Sequence, residues 1–285
     1  MLYTADDYAR NPGLFVPVWK GQWVPPSWLL SFQEKAMLLE SHGGRLMSFA
    51  HRADENRYYP ENSLEAVLSC IAMGVDILEL DVRISKDDVL VMSHDNTITR
   101  CTDASGARKK APGRYPDSDK IRDWTFEQLS ELNVLDREKN PTEYRLAKFE
   151  DVLKVCSGRI MMILDKLEEA AEECGLTEPE FWERHLFPLL ERYDSMPSCV
   201  KGWHYALENS LILGEYEPEL QNEWKDKISS KPYCRKCIEG SVLNQINDHR
   251  ELWEKMDRIG IDYIMTNDSM GMVRYIVETY GPLYG

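Results

Sequence analysis

Residues 46–95 read LMSFAHRADENRYYPENSLEAVLSCIAMGVDILELDVRISKDDVLVMSHD. Apolar runs at 46–50, 77–82 and 89–93 have the length and composition of buried strands. Between the first two runs, apolar residues recur at i, i+3, i+4 and i+7 over residues 64–71, which is typical of an amphipathic helix. The stretch therefore predicts a strand, a helix and two further strands in succession.

Sequence signals mark both ends of this helix, which is predicted over residues 63–73. Asn62 followed by Glu65 has the spacing of a capping box at a helix start. Gly74 supplies the left-handed backbone conformation in which many helices end. A second helix is predicted over residues 149–156, where apolar residues repeat the same spacing.

The alternation of strands and helices continues to the end of the chain. Further strands are predicted at residues 159–164, 200–204, 228–233, 241–246 and 263–266. Eight strands with intervening helices favour a TIM-barrel-like (β/α)8 fold of the α/β class over an open doubly wound sheet, and the sequence has no GxGxxG or P-loop motif. No linker divides the chain, so we expect a single domain over 1–285, with residues 1–45 as an N-terminal helical cap.

A hairpin-type connection is predicted between the second and third strands. Residues 85–88, SKDD, are too few for a crossover helix and suit a tight turn between antiparallel strands. Folding back at this turn would place His94 on the neighbouring strand, opposite Leu80 and Asp81.

Charge and composition narrow the class of function. The formal net charge is −15, which argues against a general nucleic-acid binder because affinity for the phosphate backbone comes from many Lys and Arg side chains. No apolar run reaches the roughly 18 residues of a membrane span, and the N-terminus lacks a signal-peptide pattern, so a cytoplasmic protein is expected. The seven cysteines favour free thiols, because Cys234 and Cys237 lack the second pair that a zinc site needs.

Two acidic residues interrupt the apolar strand ILELDV. Glu79 and Asp81 are two residues apart, so their carboxylates project from the same face of a strand. Burying two like charges together is costly unless a cation neutralises them. A hard divalent metal, Mg²⁺ or Ca²⁺, is the natural partner for such carboxylates.

Histidines and an arginine follow the neighbouring strands. His51 and Arg52 come directly after the first strand, and His94 follows the third. Catalytic groups of barrel enzymes lie where strands run into loops. A lone histidine at a strand end is usually structural, but two of them beside an acid pair and an arginine favour an acid/base pair.

The order of these motifs closely resembles the signature of the glycerophosphodiester phosphodiesterase family. The family pattern is HRG, PENT, a Gly-Ala-Asp helix end, an E-x-D strand, a T-K-D-G turn and H-D, and residues 51–102 follow it in order and spacing. MMILDK and GIDYIMTNDS resemble later strands of the family. The resemblance implies metal-dependent hydrolysis of glycerophosphodiesters to sn-glycerol 3-phosphate and an alcohol, and hence a role in lipid and glycerol metabolism.

The resemblance also implies a role for each matched residue. The implied set is His51 and His94 as the general acid/base pair, Glu79, Asp81 and Asp165 as metal ligands, and Arg52, Glu61, Asn62 and Lys166 as substrate-binding residues. In the family the acid and the lysine of this last strand are commonly two residues apart. Here Asp165 and Lys166 are adjacent, which on an ideal strand would turn them to opposite faces.

The sequence departs from the family pattern at other positions. HRG is HRA here, with Ala53 in place of glycine, and TNDS leaves open whether Asn267 or Asp268 takes the place of the family's aspartate. By resemblance, residues 97–146 form an insertion beside the active site. Its basic cluster would either attract an anionic substrate or belong to a solvated loop; the cluster comprises Arg108, Lys109, Lys110 and Arg114.

Two other functions stay open at this stage. A phospholipase of related architecture would need an apolar surface for a membrane, for which the N-terminal segment around Trp19, Trp23 and Trp28 is a candidate. A barrel that only binds a phosphorylated ligand would usually have lost a histidine or a metal acid, and this chain keeps them. The expected partner is a small-molecule phosphodiester, with no nucleic acid and no membrane span. The sequence does not fix the headgroup, the choice of metal, the roles of the two histidines or the oligomeric state.

Overall fold

The computed structural model describes residues 45–53, 57–157, 159–193, 199–200, 210–212, 235–238, 248–258, 260–261 and 263–280. The strands are β1 (Met47–Ala50), β2 (Ile77–Ile84), β3 (Leu90–Met92), β4 (Asn133–Leu135), β5 (Pro141–Arg145), β6 (Met161–Asp165), β7 (Cys199–Val200), β8 (Ser210–Ile212), β9 (Arg235–Ile238) and β10 (Tyr263–Thr266). The α-helices are α1 (Leu64–Met73), α2 (Ala104–Lys110), α3 (Phe126–Ser130), α4 (Phe149–Cys156), α5 (Leu167–Glu173), α6 (Glu178–Phe181), α7 (Phe187–Arg192), α8 (Arg250–Arg258) and α9 (Ser269–Tyr280). A 3-10 turn, His51–Ala53, follows β1, another lies at Ile121–Asp123, and Trp182–Leu186 is π-helical.

The main sheet is parallel and follows the order β7, β6, β2, β1, β10, β9, β8. Apart from the strands between β2 and β6 and from the step from β7 to β8, each strand lies beside its predecessor in the chain. The last strand, β10, pairs with β1 from Met47 opposite Tyr263 to Ala50 opposite Thr266. This return of the last strand to the first is the arrangement of a β/α barrel, so the TIM-barrel-like fold is confirmed. Within the described residues, no ladder joins β7 to β8.

Strand β2 extends beyond the parallel sheet. Residues 77–81 pair with β6, whereas Val82 and Ile84 pair with β3 in the antiparallel sense. The turn between β2 and β3 is closed by a hydrogen bond from Ser85 N to Val89 O of 2.9 Å. The short link predicted such a turn, and the ladder continues to Ser93, whose N–H donates to Asp81 O at 3.1 Å.

Helix α1 is buried at all ten of its residues and packs against α4. Gly74 ends it in the left-handed conformation, as predicted, with φ 88°. The helix start differs from the prediction: the N-cap is Ser63, whose Oγ accepts from Ala66 N at 3.1 Å. Asn62 does not cap the helix because its side chain binds Asp81 instead.

The predicted strands have different outcomes. Residues 263–266 form β10 as predicted, and the strand predicted at 159–164 begins and ends slightly later as β6. The prediction at 200–204 overlaps β7 at residue 200, while 228–233 and 241–246 lie outside the described residues. Strands β8 and β9 were not predicted. The proposed cap over residues 1–45 lies outside the described residues except for Arg45.

Residues 97–146 hold α2, α3, β4 and β5 around an apolar cluster in which Trp124 is fully buried. Arg108 lies over the Trp124 ring at 5.1 Å and donates to Pro116 O at 2.8 Å. Arg114 pairs with Glu131. These two arginines hold the segment together, and Lys109 and Lys110 stand exposed beside them. None of the helices in the described part of the chain has the length and apolar character needed to cross a membrane.

Candidate active site

The site lies at the carboxyl ends of β1, β2, β6 and β10. Parallel strands end at the same edge of a sheet, so residues that follow them meet in space. His51 follows β1, and Asp165 is the last residue of β6. The register pairs Asp81 with Asp165 on the neighbouring strand. The alternation of side chains along β2 adds Glu79 to the same face.

The three carboxylates form an acidic cluster. Glu79, Asp81 and Asp165 each offer an oxygen, and these atoms lie within 4.8 Å of one another. Burial, followed by the charge of Asp81, raises the pKa of Glu79 well above its ordinary value. Burial also raises the pKa of Asp81, against the opposing influence of His94 and Arg52. Such buried like charges call for a cation.

The cluster fits a hard divalent metal. Asp81 Oδ1 is buried without a hydrogen-bond partner among the described residues, and a buried carboxylate oxygen left in that state is costly. Carboxylate oxygens are the ligands that Mg²⁺ and Ca²⁺ take. Two basic side chains approach the cluster: Arg52 Nε lies 3.7 Å from Asp81 Oδ2, and Lys166 Nζ lies 3.1 Å from Asp165 Oδ2. Two positive charges do not offset three carboxylates in full.

Arg52 and Asn62 bind the cluster through unusual backbone conformations. Arg52 has φ 48° and Asn62 has φ 57°, both left-handed. The Arg52 N–H donates to Glu79 Oε2 at 2.8 Å, and its guanidinium lies 3.5 Å from Glu61. Asn62 Nδ2 donates to Asp81 Oδ2 at 2.7 Å, while Asp81 N donates to Asn62 Oδ1 at 3.1 Å. Asn62 therefore fixes both the backbone and the carboxylate of Asp81.

His51 is buried and is held by the last strand. Its Nδ1 lies 2.8 Å from Asn267 Oδ1, and an amide oxygen only accepts, so Nδ1 carries the proton. Asp248 holds Asn267 in turn, because Asp248 Oδ1 accepts from Asn267 N at 2.7 Å and from Thr266 Oγ1 at 2.8 Å. Asp268 instead accepts from Gly271 N in the first turn of α9. Of the two residues, Asn267 is therefore the one that contacts His51.

His94 is held from two directions. Its Nδ1 lies 2.7 Å from Asp95 Oδ1. Its backbone oxygen accepts from Arg83 Nε at 3.1 Å, and Arg83 also pairs with Glu169 at the start of α5. Burial alone would raise the pKa of Asp95, but hydrogen bonds from Arg100 and His94 hold it below its ordinary value. Asp95 is therefore an ionised partner for the His94 ring.

Arg100 joins two acids of the site. Its guanidinium donates to Glu61 Oε1 at 2.6 Å and Oε2 at 3.2 Å, and its Nε donates to Asp95 Oδ2 at 2.5 Å. Sequence reasoning assigned no role to Arg100, Asp95 or Asp248. The H-D motif was the only signal for Asp95, and nothing in a polar segment distinguished Arg100 from its basic neighbours.

Lys166 differs from the prediction for an ideal strand. The strand ends at Asp165, and Lys166 has φ 66°, which breaks the alternation of faces. Lys166 Nζ lies 3.1 Å from Asp165 Oδ2, and burial is outweighed by this carboxylate, so the pKa of Lys166 is raised. Adjacent residues therefore reach the same side of the sheet through a left-handed turn.

The structure brings all nine predicted residues to one edge of the sheet. The contacts above link eight of them, and His51, which precedes Arg52 in the chain, is held by Asn267. An α/β barrel with an acidic cluster, two histidines and an arginine at the carboxyl ends of its strands has the architecture of a barrel enzyme, with carboxylates that could hold a metal. Known proteins agree with this class. The family model described as "Glycerophosphoryl diester phosphodiesterase family" matches residues 51–187.

Individual relatives extend the match. The chain is 24% identical over 257 residues to a glycerophosphodiester phosphodiesterase of Caldanaerobacter subterraneus, covering 81% of this chain and 98% of that protein. It is 34% identical over 89 residues to human glycerophosphodiester phosphodiesterase 1, covering 31% of this chain and only 23% of the human protein. A crystal structure of a glycerophosphoryl diester phosphodiesterase from Parabacteroides distasonis superposes with a TM-score of 0.59 at 17% identity, over 90% of this chain and 95% of that one. At that identity the superposition shows the fold.

Residues 51–187 of the chain belong to the glycerophosphoryl diester phosphodiesterase family. Its enzyme class is that of the phosphoric diester hydrolases.

Proposed function

We propose that the protein catalyses the metal-dependent hydrolysis of glycerophosphodiesters to sn-glycerol 3-phosphate and an alcohol. The observation that carries this proposal is the cluster of Glu79, Asp81 and Asp165, with oxygens within 4.8 Å of one another, beside the basic side chains of Arg52 and Lys166. The named activity of the Caldanaerobacter relative, 98% of which is covered by the match, supports the substrate class.

Glu79, Asp81 and Asp165 would hold Mg²⁺ or Ca²⁺, since carboxylate oxygens suit both ions. When bound, the cation would neutralise negative charge on the phosphodiester. Asn62 keeps the Asp81 carboxylate oriented through its 2.7 Å hydrogen bond. We therefore assign to Asn62 the positioning of a metal ligand.

Arg52 is the proposed phosphate-binding residue, because a guanidinium fork matches two phosphate oxygens. Its backbone is fixed by Glu79 and its side chain by Glu61, so Glu61 acts on the substrate through Arg52. Lys166, close to Asp165, adds a second positive charge at the mouth of the cluster.

His51 and His94 are the proposed acid/base pair. Their Nδ1 atoms are engaged by Asn267 and Asp95, so we assign proton exchange with the substrate to the Nε2 atoms. One histidine takes the proton of the attacking hydroxyl, and the other gives a proton to the leaving alkoxide. The attacking hydroxyl is that of water or of the substrate's own glycerol, and the second route gives a cyclic phosphate first.

A phosphorus NMR time course tests the proposal. The purified protein is mixed with several glycerophosphodiesters and run with Mg²⁺, with Ca²⁺ and with chelator. We expect glycerol phosphate or a cyclic phosphate only with metal. Glu79→Gln should lower turnover at least about 100-fold, the lower end of an acid/base or metal contribution. Glu65→Gln, which alters a buried acid on α1 away from the cluster, should leave turnover unchanged.

The same experiment separates the other functions. Consumption of phospholipid in vesicles without consumption of any soluble diester would identify a phospholipase. Binding of glycerophosphodiesters without turnover under any metal condition would identify a ligand-binding barrel. Either result would overturn the proposed reaction.

A further inference from the structure

We infer that Arg100 is a positioning residue that holds His94 in one tautomer for proton transfer; this rests on the proposed function. The geometry is a continuous chain of side chains. Glu61 accepts from Arg100 at 2.6 and 3.2 Å, Arg100 donates to Asp95 at 2.5 Å, and Asp95 lies 2.7 Å from His94 Nδ1. Each contact is a charge-assisted hydrogen bond or an ion pair.

Burial of Glu61 restricts the movement of this series of side chains. The Glu61 side chain is 3% exposed, whereas those of Asp95 and Arg100 are 25% and 34% exposed. Glu61 is thus a buried anchor in the turn before α1, and Arg100 reaches from residues 97–146 to meet it. Breaking a buried ion pair leaves one charge uncompensated, which is a large penalty. Arg100 is therefore fixed at one end by a group that cannot easily move.

The fixed guanidinium then orients Asp95. Asp95 Oδ2 is taken by Arg100 and Oδ1 faces the His94 ring, so the carboxylate cannot rotate freely about its bond. An ionised carboxylate only accepts, which places the proton of the neutral ring on Nδ1 and the lone pair on Nε2. The backbone of His94 is held separately by Arg83. Through Asp95, Arg100 thus fixes which nitrogen of the His94 ring carries the proton. Arg83 fixes the position of the His94 main chain.

Arginine suits this role better than lysine. Two acids on different sides are bridged by separate nitrogens of one planar group. An ammonium group has no fixed fork, so it would hold one acid at a time. We expect Arg100→Lys to keep the charge but lose part of the orientation.

Turnover measurements test the coupling to His94 on the full chain with Mg²⁺. We expect Arg100→Met to lower kcat by roughly 10- to 100-fold, as for other groups that orient a catalytic side chain, with little change in KM. The kcat of Arg100→Lys should lie between those of the wild type and Arg100→Met. In a His94→Ala background, Arg100→Met should lower kcat by less than about 2-fold, because the imidazole that Arg100 positions is absent. Arg114→Met removes an exposed ion pair with Glu131 in the same segment and should leave kcat unchanged.

Nitrogen NMR of histidine-labelled protein gives a readout that does not depend on turnover. Wild-type His94 should show the Nδ1-protonated tautomer, and Arg100→Met should show a mixture of tautomers, while Arg114→Met keeps the wild-type signals. If His94 keeps its tautomer in Arg100→Met, or if the loss in kcat is the same with and without His94, Arg100 does not act through His94. Absence of diester turnover in wild type would instead contradict the proposed function, and the NMR result would still decide the positioning role.

Discussion

Three residues of the site adopt the left-handed backbone region, although none is a glycine. Arg52, Asn62 and Lys166 have φ values of 48°, 57° and 66°. Such conformations cost on the order of 1 kcal/mol or more each, and they persist where surrounding contacts impose them. Ala53, at φ 56°, stands where the family pattern has glycine. The cost is offset here by contacts between these turns and the acidic cluster.

Replacing Lys166 with glycine separates the backbone cost from the function of the side chain. We expect Lys166→Gly to lower kcat/KM by about 10-fold or more, because a positive charge near the phosphate is lost. The free energy of unfolding should stay level or rise by up to about 1 kcal/mol, because glycine adopts φ 66° without strain while the ion pair with Asp165 disappears. Urea denaturation and initial-rate kinetics measure the two effects.

Lys139 provides the matched control. It has φ 67°, is exposed, and lies in the turn between β4 and β5. Lys139→Gly should raise the free energy of unfolding by about 1 kcal/mol with unchanged kinetics. Equal kinetic effects of the two substitutions would mean that Lys166 contributes nothing specific to the site.

Sequence reasoning succeeded at the residue scale where the backbone is regular. The two-residue spacing placed Glu79 and Asp81 on one face because β2 is an unbroken strand through both. It was wrong for Lys166 because a left-handed turn cannot be read from alternation. It also left the partners of the histidines undetermined, since Asn267 is 216 residues from His51 in the chain.

At the scale of elements, two adjacent residues at the start of α1 have different roles, one in stability and one in the site. Ser63 caps the helix, whereas the next residue toward the N-terminus, Asn62, binds Asp81. Ser63→Ala should lower the free energy of unfolding by about 1 kcal/mol without changing kcat. Asn62→Ala should weaken metal affinity by roughly 10-fold or more, as loss of a group that orients a ligand does. Thermal denaturation and metal titration distinguish the two. A metal defect in Ser63→Ala as large as that in Asn62→Ala would show that the helix start acts as one unit.

The elements differ in how far the sequence predicts them. The hairpin between β2 and β3 followed from the length of its link, and α1 and α4 followed from apolar spacing. Strands β4 and β5 escaped prediction because β5 is polar, with two exposed and three half-buried residues, and β4 has only three residues. Their stability comes from the apolar cluster around Trp124, a tertiary contact that local patterns do not reveal.

At the scale of the whole molecule, the buried acids link stability to pH and to metal. The pKa of Glu79 and that of Asp81 are raised from ordinary values of 4.5 and 3.8 by burial. Between these ordinary values and the raised ones, the folded protein holds protons that the unfolded chain has lost. Stability of the metal-free protein therefore falls as pH rises through this window and is lowest above it. Below the ordinary values, the two acids are protonated in both states and the penalty is absent.

A divalent cation removes the penalty because it binds the deprotonated cluster. We expect Mg²⁺ to raise the melting temperature little near pH 5 and increasingly up to pH 8. At a Mg²⁺ concentration of 100 times Kd the gain in the free energy of unfolding is about 2.7 kcal/mol, which corresponds to a rise in melting temperature of roughly 5–10 °C for a chain of this size.

Glu79→Gln should flatten the pH dependence in chelator and abolish most of the metal effect. Glu65→Gln, whose acid also has a pKa raised by burial, should change the pH dependence in chelator but keep the metal effect. A metal effect of equal size at pH 5 and pH 8 would mean that the cation binds somewhere other than these buried carboxylates.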